Sequence, residues 1–241
     1  MIEIGSLFCG YFNKSVLEDI NLFISSHLTI LGANGSGKST LARCISSLCE
    51  YEGEIFIDSK NIRTLQSRDK ARVISYIPTK LDIYDSFITL YDFVLLGRFA
   101  YKKTFFEYSK EDKEAANEKI AALGLEHLRD HALSSLSSGE QQLAMIAAAL
   151  CQQSKIIIFD EPSANLDPHN SKIIANYIKK LKETHQIILI THDLHLAYYV
   201  ESDIAFIKDK KVVLYDRSFF NDDILRDLYG VEFHSMALKY E

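Results

Sequence analysis

The stretch LTILGANGSGKSTLARCISSLC, residues 28–49, constrains the fold more than any other part of this 241-residue chain. A short apolar run enters a glycine-rich turn, and the turn passes without a break into a segment of helical periodicity. At its centre, Gly32–Thr40 has the spacing glycine, four residues, then Gly-Lys-Ser/Thr. Glycines at those places let successive backbone N–H groups curl around phosphate oxygens, and the positive end of the following helix faces the same anion. In such a loop the lysine, Lys38, reaches the β- and γ-phosphates, and the Ser39 hydroxyl ligates Mg²⁺. The expected ligand is therefore a nucleoside triphosphate, with Gly32, Asn34, Gly35, Ser36, Gly37, Lys38, Ser39 and Thr40 around its phosphates. A strand that feeds such a loop and helix belongs in an α/β sheet.

The rest of the chain agrees with that architecture. Short β-branched runs predict strands at Ile2–Phe8, Leu22–Leu31, Glu54–Asp58, Val73–Ile77, Ile156–Asp160, Ile187–Thr191, Ile204–Lys208 and Val212–Tyr215. Two of them, IIIFD and IILIT, are almost continuously apolar, as strands buried on both faces of a parallel sheet are. Helical periodicity marks Ser39–Cys49, Thr89–Arg98, Lys110–Leu123, Gly139–Cys151, His169–Lys182 and Asp222–Tyr229. Residues 86–153 contain no strong strand and read as a helical insertion, which leaves 1–85 and 154–241 as the nucleotide-binding core.

Composition excludes several classes. A net charge of -6 offers no basic surplus for a nucleic-acid backbone, so no nucleic-acid partner is expected. The four cysteines, Cys9, Cys44, Cys49 and Cys151, are too few and too scattered for a disulfide framework or a zinc ribbon, and Cys44 and Cys49 read as buried free thiols on one helix. The opening MIEIGSLF does not have the form of a signal peptide, and no apolar run approaches the ~18–20 residues of a membrane span. A soluble, cytoplasmic chain is the expectation.

Two further stretches carry chemistry. In IIIFDEP, Ile156–Pro162, Asp160 ends a core strand where it can approach Mg²⁺, directly or through a water. Glu161, one step on, can orient and deprotonate a water aimed at the γ-phosphate. In IILITHD, His192 follows another buried strand, placed to hydrogen-bond the γ-phosphate or to hold Glu161 and the attacking water. His195 and the pair His127 and His131 lack a third metal ligand and read as solvated helix faces.

In their order along the chain these segments resemble the nucleotide-binding subunit of ATP-binding cassette (ABC) transporters. LSSGEQQ, Leu136–Gln142, resembles that family's signature motif, with Ser138 where a glycine is usual. Ser163–Asp167, SANLD, resembles the loop that crosses the dimer interface, with Ser163, Asn165 and Asp167 its polar members. His192 matches the switch histidine, and Tyr11, in CGYFNKSVLEDINLFI, matches the aromatic that stacks on adenine. The resemblance implies a P-loop NTPase (RecA-like) core sheet with an inserted helical subdomain and an N-terminal antiparallel β region. It also implies a head-to-tail homodimer on ATP binding, in which Ser137, Ser138, Gly139 and Glu140 serve the phosphate held by the other copy, and Lys38, Glu161 and His192 are catalytic. That explains a small, hydroxyl-bearing turn placed ahead of an apolar helix and far from the phosphate loop. Bottom-up, the same turn reads as an N-cap, and one geometry serves both roles.

One departure stands out. After VISYIP the family usually has a glutamine that touches Mg²⁺ or the attacking water; here Thr79 takes its place, followed by Lys80. A threonine hydroxyl is shorter, so slower turnover is expected. SFITLYDFVLLGRFAYKKTFF and the tail NDDILRDLYGVEFHS resemble the ATPases of importers of iron–siderophore complexes, haem and cobalamin, with zinc or manganese importers the next reading. The implied partners are two integral-membrane permease subunits and, indirectly, a substrate-binding protein, which puts the chain at the cytoplasmic face of the membrane as a peripheral protein. A non-transport ABC ATPase or a nucleotide-binding regulator is the alternative.

Overall fold

The structure, a computed structural model, describes residues 1–12, 14–102, 107–230 and 240. The chain divides into two units, Met1–Leu65 with Ala175–Glu241, and Gln66–Ile174.

The first unit holds an antiparallel and a mainly parallel set of strands. β1 (Ile2–Tyr11) lies between β2 (Lys14–Ile24) and β4 (Glu52–Ile57), and β4 also pairs with the short β5 (Lys60–Asn61). Burial alternates along β1 and β2: Ile2, Ile4, Leu7 and Cys9 point inward from one, and Leu17, Ile20, Leu22 and Ile24 from the other. β3 (Leu28–Gly32), by contrast, is buried at every residue, flanked in parallel by β8 (Gln186–Ile190) and β9 (Asp203–Lys208), with β10 (Lys211–Tyr215) antiparallel to β9.

That change of pattern corrects one sequence expectation. Leu22–Leu31 is not one strand: β2 ends at Ile24, exposed Ser25 and Ser26 make a bend, and β3 starts at Leu28 in a different sheet. Alternating burial suits a sheet with one covered face, and continuous burial suits a parallel strand covered on both.

β3 delivers the chain to α1 (Lys38–Ile45). Leu31 of β3 also belongs to an apolar cluster with Ala197 of α7 (Leu194–Val200), Ile204, Phe206, Phe219 and Leu225 of α8 (Asp222–Tyr229). Phe219 is wholly buried and meets Tyr215, Phe220 and Phe206 at ring-centroid distances of 5.4, 5.2 and 5.9 Å. Burying a phenylalanine side chain is worth about 1.5–3 kcal/mol, so this packing braces the strand that carries the phosphate loop from behind. Of the tail NDDILRDLYGVEFHS, Asn221–Gly230 is described and forms α8 with its caps, while Val231–Ser235 lies outside the described residues, as do Lys103–Phe106 of the importer-like stretch.

In the second unit α2 (Ser67–Val73) leads into β6 (Ile74–Ile77), which pairs in parallel with β7 (Ile156–Asp160) from Ile74 opposite Ile156 to Ile77 opposite Phe159. Between these strands lie α3 (Leu90–Leu96), α4 (Lys110–Ala122) and α5 (Ser138–Gln152). α6 (Pro168–Leu181) follows β7 and runs across the division between the units. α5 buries Ala144, Met145, Ile146, Ala147 and Ala149, small residues for the most part that let its neighbours come close.

Arg98, two residues beyond α3, ties the end of α3 to α4 and α5. Its guanidinium is buried, donates to Asp112 Oδ1 at 2.9 Å and to the Cys151 carbonyl at 3.2 Å, and lies over the Tyr101 ring at 3.9 Å. Asp112 also closes a capping box with Ser109 at the start of α4. Burial pushes the Asp112 carboxyl up, but Arg98 and the Ser109 N–H and hydroxyl outweigh it and hold the group below its ordinary value. A depressed carboxyl contributes stability that is present above its unfolded value and lost as pH falls through the folded one. Replacing Arg98 with Ala strands a buried carboxylate and is expected to lower stability by about 3–5 kcal/mol in urea unfolding at neutral pH. The deficit should shrink below about pH 4, where Asp112 is protonated when unfolded; a pH-independent deficit would contradict the charge argument.

Candidate functional site

The candidate residues divide between the two units. Tyr11, the phosphate loop and His192 belong to the first; Thr79, the turn at 136–140, Asp160, Glu161 and Ser163–Asp167 belong to the second.

Gly37 makes the turn from loop to helix possible. It caps α1 in the left-handed region at φ 106, and a Cβ there would meet Val16 Cγ1 at 2.9 Å and Leu17 Cδ2 at 3.0 Å, so only glycine fits. The first bond of the helix ladder runs from Leu41 N–H to the Gly37 carbonyl at 2.9 Å. Backbone N–H groups before Leu41 have no carbonyl partner within the helix and sit at its positive end.

Lys38 is only 6% exposed, and its ammonium donates to the Gly32 and Ala33 carbonyls at 2.9 and 3.1 Å. It is thereby coiled under the loop. The Ser36 hydroxyl is buried without a hydrogen-bond partner, a donor in want of an acceptor inside the same turn. Ala33, Asn34 and Gly35 are exposed, while Thr40 is buried. A polyanion with several oxygens matches this set: a buried cation, an orphaned hydroxyl and a row of N–H groups.

Tyr11 stands at the end of β1, 41% exposed, and Phe12, which the sequence reading passed over, is fully exposed beside it. His192 is exposed just after β8. The adjacent Asp193 caps α7, accepting from the N–H groups of His195 and Leu196 at 2.9 and 3.2 Å. Its other oxygen accepts from the Tyr240 hydroxyl at 2.7 Å, and Tyr240 is 2% exposed. A tyrosine near the end of the chain thus holds the residue next to His192, a contact that spans 47 positions and has no local sequence signal. His195 is half-buried, with its Nδ1 buried and without a partner, rather than on a fully solvated helix face. His127 and His131 are exposed and lie outside any α-helix.

In the second unit Asp160, 3% exposed, accepts from the Tyr76 hydroxyl at 2.6 Å. Sequence reasoning missed Tyr76, whose contact with Asp160 spans 84 positions and has no local sequence signal. Glu161 has φ 51, left-handed backbone that a residue with a Cβ adopts at a cost of about 1–3 kcal/mol. That kink takes its side chain out of the strand's alternation, and it is half-buried. Thr79 is half-buried in an irregular segment beyond β6.

The turn before α5 is a full capping box. Ser137 Oγ accepts from the Glu140 N–H at 3.4 Å, while the Ser137 N–H and hydroxyl both reach Glu140 Oε2 at 2.7 Å. Those bonds from the Ser137 hydroxyl and N–H hold the Glu140 carboxyl below its ordinary value, so it is negative at neutral pH. Gly139 is buried against Asn170: a Cβ would stand 2.8 Å from Asn170 Cγ. Asn170 is pinned in turn by Asp167, which accepts from the N–H groups of His169 and Asn170 at 2.9 and 3.0 Å and from the Asn170 amide at 2.6 Å. The turn at 136–140 and the loop Ser163–Asp167 are therefore in mechanical contact through Asn170. Asn165 in that loop is exposed at φ 62, and Ser163 is half-buried and accepts from the Leu166 N–H at 3.3 Å.

Comparison with known proteins adds four findings. The family model described as "ABC transporter" matches residues 17–164. A "Probable siderophore transport system ATP-binding protein" of Bacillus subtilis strain 168 is 32% identical over 88% of this chain and 78% of its own length. A "Phosphonates import ATP-binding protein" of Oceanobacillus iheyensis is also 32% identical, over 96% of each chain. Among solved structures, a dimeric ATP-binding cassette in a post-hydrolysis state, bound to ADP and Pi, is 26% identical with a TM-score of 0.76, covering 90% of this chain and 98% of its own.

Replacing Tyr76 with Phe leaves the buried Asp160 carboxylate one donor short. Hydrogen bonds to charged groups are worth about 1.5–3 kcal/mol, and a loss of that size is expected in thermal or urea unfolding without nucleotide. An unchanged midpoint would mean that the phenol does not hold the carboxylate.

Proposed function

The chain belongs to the ABC transporter family as an ATP-binding subunit, and from that premise we propose that it hydrolyses ATP to drive an importer of an iron complex. The observation that carries the ATPase reading is the phosphate loop, with its buried lysine and orphaned Ser36 hydroxyl behind a left-handed Gly37.

In this reading adenine stacks on Tyr11, and the phosphates lie along Gly32–Thr40. Lys38 leaves the Gly32 and Ala33 carbonyls for the β- and γ-phosphate oxygens, exchanging two dipoles for full charges. The Ser39 hydroxyl and the Asp160 carboxylate are hard oxygen donors suited to Mg²⁺, which when bound offsets charge on the phosphate oxygens. Glu161 accepts a proton from the water that attacks the γ-phosphorus, His192 holds that water and the γ-phosphate in place, and the P–O bond to ADP breaks. Support for uniting residues of the two units in one site comes from the order of the motifs and from family membership.

The turn of a second copy completes the site. Ser137, Ser138 and the Gly139 N–H approach the γ-phosphate from across a head-to-tail homodimer, while Glu140 acts by holding Ser137. The loop at Ser163, Asn165 and Asp167 crosses the same interface, so Asn170 couples the two contacts within each copy. The relative bound to ADP and Pi is a dimer, which supports this arrangement.

Residues 86–153 form the helical subdomain of this reading, and the permease docks beside it. A groove of about 280 Å³, lined by Pro78, Leu81, Phe93, Leu96 and Met145, opens there. Tyr84, Phe87 and Phe99 are 96, 87 and 60% exposed, apolar surface of the kind a partner covers. Among the described residues no helix is long and apolar enough to cross a membrane, so attachment to the cytoplasmic face runs through two permease subunits, with a substrate-binding protein further off. The importer-like stretch before α4 and the siderophore relative support an iron complex as cargo, and the phosphonate relative names the competitor to test against.

Glu161→Gln is expected to lower ATPase turnover at least 100-fold and to accumulate dimers in Mg-ATP, read by light scattering. Hydrolysis at the wild-type rate would remove Glu161 from the mechanism. Thr79→Gln is expected to raise turnover severalfold by restoring reach to the metal or water; an unchanged rate would show that Thr79 does not limit the reaction. For the cargo, deleting the gene should depress uptake of a labelled iron–siderophore complex and spare phosphonate uptake, and the reverse result would reassign the importer.

A further inference from the structure

Three of the four cysteines converge: Cys44 and Cys49 lie five residues apart, and Cys9 joins them from 35 positions earlier in the chain. β1 turns Cys9 inward, and α1 places Cys44 on its buried face one residue before its end. The chain then reverses through Ser47, in left-handed conformation at φ 56, and returns Cys49 to the same spot. Cys49 is thus beyond α1 rather than on it. The three sulfurs all lie within 4.8 Å of one another, and Cys44 and Cys49 are 3.4 Å apart. Three thiolates about 2.3 Å from one metal ion in a trigonal plane are about 4 Å apart, so the trio needs only small side-chain adjustments to close on an ion.

The donor set narrows which ion. Among the described residues no histidine or carboxylate joins the group, which makes it all sulfur and three-fold. Structural zinc sites close with four protein ligands and three-ligand zinc sites draw on histidine or carboxylate, whereas an all-thiolate, three-fold set suits Cu(I). Cys151, in the other unit, is not part of the cluster. Burial pushes the Cys44 and Cys49 thiols above their ordinary range. Cys9 and Cys49 each line an open cleft, and the two clefts adjoin at Glu50 and Tyr51, so solvent reaches the edge of the cluster. Packing alone would account for a buried cysteine as a small apolar side chain. It does not account for three that share one point, one from β1 and two from the end of α1 and the turn after it.

We propose that Cys9, Cys44 and Cys49 form a three-thiolate site for one Cu(I) ion, behind the nucleotide-binding loop. Binding exchanges protons for metal: each ligating sulfur releases its proton to solvent, a Cu–S bond forms in its place, and no electron moves. The ion ties β1, which carries Tyr11 two residues beyond Cys9, to α1, which carries Lys38, Ser39 and Thr40 at its other end. Two segments assigned to the nucleotide are thereby cross-linked from the rear. The inference rests on the thiol geometry and is independent of the cargo.

The test uses the full-length protein, fully reduced and kept under nitrogen, titrated with Cu(I) supplied as its bathocuproine disulfonate complex. One equivalent should be withdrawn from the chelator, with a Cu–S charge-transfer band and X-ray absorption showing three sulfur neighbours. Cys9→Ser and Cys49→Ser should each weaken binding at least about 100-fold while circular dichroism and ATP binding report a folded protein. Cys151→Ser should bind as the wild type does. Cys49 is partly exposed, so its variant tests the site even if Cys44→Ser does not fold. The proposal fails if folded wild-type protein withdraws no copper, if withdrawal is unchanged in both Cys9→Ser and Cys49→Ser, or if only two sulfurs surround the metal.

Discussion

A lysine ammonium held under a glycine turn is the constraint on which the first unit depends. Lys38 is 6% exposed, and a cation so placed needs partners; the Gly32 and Ala33 carbonyls supply them at 2.9 and 3.1 Å. Those carbonyls point correctly only because Gly37 adopts φ 106 and because β3, buried at all five residues, sets the direction of entry. The aromatic cluster around Phe219 then braces β3 through Leu31. A phosphate-binding loop is a strained, polar, partly unsatisfied object, and it persists because a rigid apolar strand and helix over-determine it.

The second unit solves a different problem, that of placing carboxylates. Asp160 is buried at the end of β7 with a phenol on it, while the left-handed Glu161 turns away from the strand's alternation. Two adjacent acids thus receive different surroundings. Capping contacts do double duty here. The Ser137–Glu140 box starts α5, the Asp167–Asn170 pair starts α6, and Gly139 lets the two touch. The Asn170 side chain is the physical link between the turn at 136–140 and the loop at 163–167.

Much of this was legible in the sequence because it is local. Strand, glycine turn and helix follow one another within Leu28–Ile45, so phosphate binding could be argued from spacing, and IIIFDEP carries its own strand end and acids. The helical segment was legible from periodicity. What misled was local as well: Leu22–Leu31 is continuously plausible as a strand, and only the switch from alternating to continuous burial divides it at Ser25 and Ser26.

What the sequence by itself determined is the chemistry of each loop, since glycine placement, helix starts and strand-end carboxylates act over a few residues through backbone dihedrals and capping bonds. Only the tertiary structure decided which distant side chains share a point. Tyr76 on Asp160, Tyr240 on Asp193 and Cys9 beside Cys44 and Cys49 are pairings across 84, 47 and, from Cys9 to its nearer partner, 35 positions. Sequence spacing carries no record of such contacts, because strand register, sheet order and the packing of helices on strands set them, and those are properties of the folded chain as a whole.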